Sequence, residues 1–278
     1  MSHRTIKEIV TGYKSVDGAG VHLVCVLGSL TVKNFDPFLM LDAFDSRNPE
    51  DYIKGFPMHP HRGIETFTYL IQGNVEHKDS LGNQGSILDG CCQWMTAGSG
   101  ILHQEMPKAT ERFLGLQLWI NLPRIYKMVA PKYRDITREM IPKVEEDAGT
   151  VAVVTGKYKD VPGATKGEYV NINFFDLTLK PDKVWQVATD PQHTVFAYIV
   201  EGECGFESAL IPAKRAILFN PGKDLFIQTG LDGARVILVS GKPIQEPIAW
   251  GGPIVMNTND ELQEAFIELE SGTFIKHS

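Results

Sequence analysis

The chain has 278 residues, a net charge of −7 and a pI near 5.6. Its 43% apolar and 22% charged residues suit a packed core and exclude bulk disorder. The acidic balance weighs against direct nucleic-acid binding, which needs a basic surface, and no apolar run nears the roughly 20 residues of a membrane span. The polar segment after Met1 carries no apolar stretch of the kind that heads a secretory leader. Four cysteines (Cys25, Cys91, Cys92, Cys204) without a C-x-x-C pair read as small buried hydrophobes in a reducing cytosol.

In chain order, short runs rich in β-branched and aromatic residues predict strands at Val21–Leu27, Glu65–Leu70, Leu114–Ile120, Val151–Val154, Asn171–Leu179, Val195–Val200, Ile217–Phe219 and Val236–Ser240. Gly, Pro, Asn and Asp punctuate them, as in an all-β sandwich or barrel. Pro123, Pro131 and Pro142 fall in a charged stretch between Leu122 and Gly149, which reads as the link between two β domains. One segment, 257–272, predicts a helix. It opens with cap residues, carries Asp260 and Glu261 in its first turn and ends on Gly272. Leu262, Ala265, Phe266 and Leu269 share one face of it.

The chain repeats itself. Glu65-Thr-Phe-Thr-Tyr-Leu-Ile-Gln-Gly73 has the shape of Thr194-Val-Phe-Ala-Tyr-Ile-Val-Glu-Gly202, at an offset of 129. Trp94–Gly98 has a counterpart in Leu218–Gly222, at an offset of 124. Two strand–turn pairs recurring at almost one offset predict a duplicated β domain.

The chemistry sits in two segments. In Pro57-Met-His59-Pro-His61, histidines at i and i+2 point to one face of a strand. Glu65 keeps that parity if the strand runs on without a bulge. In Thr96-Ala-Gly-Ser-Gly-Ile-Leu-His103-Gln-Glu105, His103 and Glu105 share a face after a glycine turn. Two such pairs can meet inside a small barrel. Three neutral imidazole nitrogens and one carboxylate oxygen suit a borderline first-row divalent ion, and an octahedral ion would keep two positions open. The alternative is an internal hydrogen-bond network without metal. Trp94, Phe56, Phe67 and Met95 read first as core, with a pocket wall beside the metal as the sharper reading.

These motifs resemble the cupin superfamily and, closely, the pirin family within it. Gly55–Thr66 and Gln93–Pro107 look like the two pirin signatures. Leu116–Pro123 and Gly252–Asn257 look like family segments, and the resemblance runs from about residue 5 to residue 273. Ser99 stands where many members have Arg, a departure that bears on charge at the pocket mouth.

The resemblance implies an all-β bicupin: two tandem cupin β-barrels, 1–130 with the metal and 131–278 without, and a short C-terminal helix packing back. It implies metal ligands His59, His61, His103 and Glu105, with Glu65 as a partner behind them. The ion would be Fe(II), with Ni, Mn, Cu or Zn as alternatives. It also implies quercetin 2,3-dioxygenase chemistry on a flavonol and O2, with Glu105 as general base. The family's other role is that of a redox-sensitive partner of a transcription regulator or metabolic enzyme, without turnover. Neither role calls for nucleic acid or membrane. On the repeat alignment, Ala188, Asp190, Ile227 and Thr229 replace the four ligands in the second copy, so one metal per chain is expected.

Overall fold

The computed structural model describes residues 3–206 and 210–277. Every predicted strand lies in an observed one to within a residue, and the helix spans Asn259–Glu270. Thr258 and Glu261 close a capping box at its start, each side chain accepting from the other's backbone N–H, at 3.2 and 3.0 Å.

The chain divides into two units. One holds Tyr13–Arg138 and Ile244–Ser278; the other holds the segment ending at Gly12 and Glu139–Pro243. Each unit draws on two separate stretches of the chain, where the expectation is 1–130 and 131–278 with the C-terminal helix packing back. The reason is strand pairing. Ile6–Thr11 completes the edge of the second unit's sheet by pairing antiparallel with Arg215–Phe219. A lone edge strand gives no sequence signal for its sheet.

The duplication is visible in the sheets. In the first unit the order is Lys132–Ile136, Cys92–Thr96, Ile64–Gln72, Phe113–Asn121, Phe38–Ser46, Val21–Leu27, Tyr13–Asp17. In the second it is Ile6–Thr11, Arg215–Phe219, Thr194–Gly205, Asp224–Gly241, Ile172–Leu179, Gly149–Thr155, Lys143–Glu146. The two orders correspond strand for strand. Phe67 pairs with Trp94 and Phe196 with Leu218, the residues that the offsets of 129 and 124 equate.

In the first unit a four-stranded sheet, ordered Phe56–His61, Ile101–Pro107, Val75–Asp79, Gln84–Ile87, faces the seven-stranded one. Leu70, Phe113 and Phe44 pack against Val75 and Ile87, and Ile64, Met95 and Trp119 against Ile101. Each such side chain contributes about 1.5–3 kcal/mol by leaving water. The chain passes from one sheet to the other at Gly63. Its φ is +76°, and a Cβ there would lie 1.9 Å from the Val255 carbonyl oxygen. Only glycine fits.

The segment after Ile244 is bound into this unit by two buried basic side chains. Arg62 donates from Nε to Ser99 O (2.7 Å) and from Nη2 to Phe274 O (2.8 Å). Its Nη1 pairs with Glu268 at 2.7 Å, and its guanidinium lies 4.2 Å from the Phe274 ring centre. Lys127 Nζ donates to Gly63 O, Asn121 Oδ1 and Val255 O at 2.8, 2.6 and 2.9 Å.

The second unit is filled by apolar side chains, among them Phe175, Trp185, Phe219 and Val236. Of the positions equated with the ligands, Ile227 belongs to that core. Thr229 donates to Lys180 O at 2.6 Å, while Ala188 and Asp190 are exposed. Among the described residues no helix is long and apolar enough to cross a membrane.

Candidate metal centre

His59 and His103 stand opposite each other on adjacent antiparallel strands, and His61 follows two residues along. His59 Nδ1 lies 2.8 Å from Pro57 O, and His61 Nδ1 lies 3.2 Å from Pro253 O. A carbonyl oxygen only accepts, so each Nδ1 carries the proton and each Nε2 is a bare lone pair. The two Nε2 atoms are 3.1 Å apart. His103 Nε2 is buried with no hydrogen-bond partner. One nitrogen from each of the three rings falls within a 4.8 Å group.

Burial, then the neighbouring His59, brings the His61 pKa down to about 3. Burial first, with the other histidines adding, puts His103 well below the ordinary range. His61 and His103 are therefore neutral at pH 7, the form that binds metal. Facing lone pairs repel, and an orphaned buried nitrogen costs of order 1–3 kcal/mol. One divalent cation would relieve both, so the donor set fits a metal.

Glu105 is on the same side of its strand as His103; Ile101–Pro107 alternates buried and half-buried throughout. It is not one of the 4.8 Å group. Its carboxylate accepts from Thr68 Oγ1 at 3.1 Å and from Gln117 Nε2 at 2.7 Å. Burial raises its pKa, against His59, Gln117 and Thr68, which lower it.

Glu65 corrects the parity reading. The strand does not continue: the turn at Gly63 places Glu65 in the other sheet. There Glu65 accepts from Thr96 Oγ1 at 2.7 Å, with the Arg134 guanidinium at 4.0 Å.

Ser99 corrects the pocket-mouth reading. It is buried, and its carbonyl receives Arg62. Phe56 lines the cleft beside the histidines. Trp94, Phe67 and Met95 are fully buried core, with Phe67 and Trp94 edge to face at 5.3 Å. All four cysteines are free thiols, with Cys92 and Cys204 buried and Cys25 and Cys91 half-buried.

The cleft measures about 390 Å³. His59 and His61 open onto it, and Phe56, Met40, Trp119 and Trp250 give it apolar walls. Trp119 meets His61 edge to face at 4.9 Å.

Several site residues escaped the sequence reading. Gln117 and Thr68 are ordinary strand positions until their partner Glu105 is known. His77, assigned nothing from sequence, is buried and bonded to the Tyr133 hydroxyl, which Gln93 also reaches. Asp42, on the cleft wall, is 5% exposed. Burial, with the charge of Asp17 adding, raises its pKa to about 7 against a hydrogen bond from Cys25.

The folded protein thus holds the Asp42 proton more tightly than the unfolded chain does. This one group lowers stability as pH rises from about 4 to 7. Asp42→Asn should therefore stabilise the protein at pH 8 by up to about 4 kcal/mol and have little effect at pH 4. Urea midpoints at both values check this; equal shifts would contradict it.

Residues 21–120 match the Pirin family, and residues 174–275 match the Pirin C-terminal cupin domain. The chain belongs to the pirin family. Both of its domains are cupin domains, and its secondary structure is mostly β with one short C-terminal helix. The pirin-like protein of Caulobacter vibrioides is 39% identical over 277 residues, 99% of this chain and 100% of its own. Mouse pirin is 34% identical, over 97% of this chain and 93% of its own. A crystal structure of quercetin 2,3-dioxygenase from Acinetobacter baumannii superposes with a TM-score of 0.90 at 30% identity, covering 98% of this chain and 99% of that one.

Proposed function

We propose that this pirin is a metal-dependent dioxygenase acting on flavonols of the quercetin kind. The metal would be held by His59, His61 and His103, with Glu105 as fourth ligand, and Fe(II) is the proposed ion. The observation that carries the reading is the gathering of one ring nitrogen from each of three histidines within 4.8 Å, with His61 and His103 buried and His59 and His61 opening onto an aromatic-walled cleft. The likeness to a quercetin 2,3-dioxygenase over nearly the whole chain supports the substrate class.

When bound, the metal supplies Lewis-acid activation of the flavonol 3-hydroxyl. The rest falls to the chain. Trp119, Trp250 and Phe56 offer flat apolar surface to an aromatic ligand. Glu105 takes the hydroxyl proton as general base, at a carboxylate whose affinity for it burial has raised. Thr68 and Gln117 hold that carboxylate in place through their donated hydrogen bonds. The carbonyls of Pro57 and Pro253 fix the ring orientation of His59 and His61. The overall change is addition of O2 across the heterocyclic ring, ring opening to an ester and release of carbon monoxide.

The test is protein loaded with ferrous iron under nitrogen, mixed with quercetin and then exposed to air. Loss of the flavonol absorbance is expected. None, with iron bound, would overturn the enzyme reading in favour of a redox-sensitive binding partner. Glu105→Gln keeps the hydrogen-bonding shape and removes the base. It should retain part of the metal and lose about 10²-fold or more in turnover; parent-like turnover would contradict the base assignment.

A further inference from the structure

The cleft holds a carboxyl that this chemistry does not use. Asp42 lies on the Phe38–Ser46 strand between Cys25 and Gln117 on the flanking strands. It lines the cleft on the same side of its strand as Met40. It is 5% exposed, and its Oδ1 has no hydrogen-bond partner within the protein. Gln117 is already committed. Its amide nitrogen donates to Glu105 and Thr68, and its oxygen accepts from Trp119 Nε1. Asp17, also on the cleft wall, brings a further carboxylate and no donor. A buried carboxyl oxygen facing a cleft is a strong acceptor for a ligand hydroxyl.

We propose that Asp42 is the hydroxyl-recognition residue of the cleft: its Oδ1 accepts a hydrogen bond from a ring hydroxyl of a flat polyphenol whose other end sits at the three histidines. The proposal rests on the flavonol reading and adds what chooses among flavonols. Apolar walls tell a hydroxylated ring from a bare one poorly. A site that bonds the hydroxyl tells them apart well, because the bare ring leaves the buried acceptor unpaired.

The measurement is ligand affinity, read by quenching of tryptophan fluorescence in nickel-loaded protein without oxygen, where no turnover intrudes. Trp119 and Trp250 on the cleft wall are the reporters. Quercetin is compared with 3-hydroxyflavone, which keeps the 3-hydroxyl and neighbouring carbonyl and lacks the ring hydroxyls. The parent should prefer quercetin by about tenfold or more. Asp42→Leu should bring that preference within about twofold, by weakening quercetin and relieving 3-hydroxyflavone of the unpaired acceptor, with Asp42→Asn falling between. The Asn variant alone suffices if the Leu variant does not fold. A parent without the preference, or variants that keep it in full, overturns the proposal. Turnover is read separately in iron-loaded parent. Preference lost in the variant without turnover leaves Asp42 its role and removes the enzyme; turnover with an unchanged preference does the reverse.

Discussion

His103→Ala should abolish metal binding at the proposed three-histidine site. Its Nε2 is the one ring nitrogen of the three that is both buried and without a hydrogen-bond partner in the protein. Losing a ligand should weaken metal affinity at least as much as losing a residue behind the ligands does, about 100-fold or more. Metal content after dialysis should fall from one equivalent per chain to near none. The metal-free variant should be no less stable than the metal-free parent, because the substitution also removes an orphaned polar atom. That pairing separates lost ligation from lost fold. Elemental analysis and urea melts read both. Full metal retention would contradict the three-histidine site.

Arg62→Met should have the largest effect on stability, about 3–5 kcal/mol. The guanidinium is 2% exposed and serves Ser99 O, Phe274 O, Glu268 and the Phe274 ring together. Methionine fills the space, leaves two carbonyls without their donor and leaves Glu268 with Lys276 alone. Glu268→Gln should cost less, about 1–3 kcal/mol, since the buried Arg62 charge loses its partner but keeps both carbonyls. The loss should reach the metal as well. Pro253, whose carbonyl orients His61, lies in the chain segment that Arg62 ties down. Weaker metal binding in Arg62→Met than in Glu268→Gln is the expected order. A loss of under 1 kcal/mol in Arg62→Met would show the contacts to be dispensable.

What could be read from sequence followed from periodicity. The pairs His59/His61 and His103/Glu105 each occupy one face because a strand repeats every two residues, and neither is interrupted. The same rule failed for Glu65. Gly63 admits a left-handed backbone and a close approach to Val255, and the chain changes sheets there. The duplication was legible because the repeats carry the two strands that pair in each sheet. Ile6–Thr11 was not assigned to its sheet, since its partner lies about 200 residues away in sequence. Asp42 was silent for another reason. In Phe38-Leu-Met-Leu-Asp-Ala-Phe44 one acid among apolar residues gives no hint that it faces a cleft. Ser99 was read from the Arg expected at its position by resemblance, and only packing shows that it is buried and that its carbonyl receives Arg62.

The proposed reaction is cleavage of a flavonol by O2 at the three-histidine site. It is tested most directly by giving iron-loaded protein quercetin under ¹⁸O₂ and weighing the products, with His59→Ala alongside. One carbon monoxide per quercetin is expected, with both labelled atoms in the ring-opened ester and neither product from the variant. Quercetin consumed with one labelled atom or none in the ester, or equal product from His59→Ala, would contradict it.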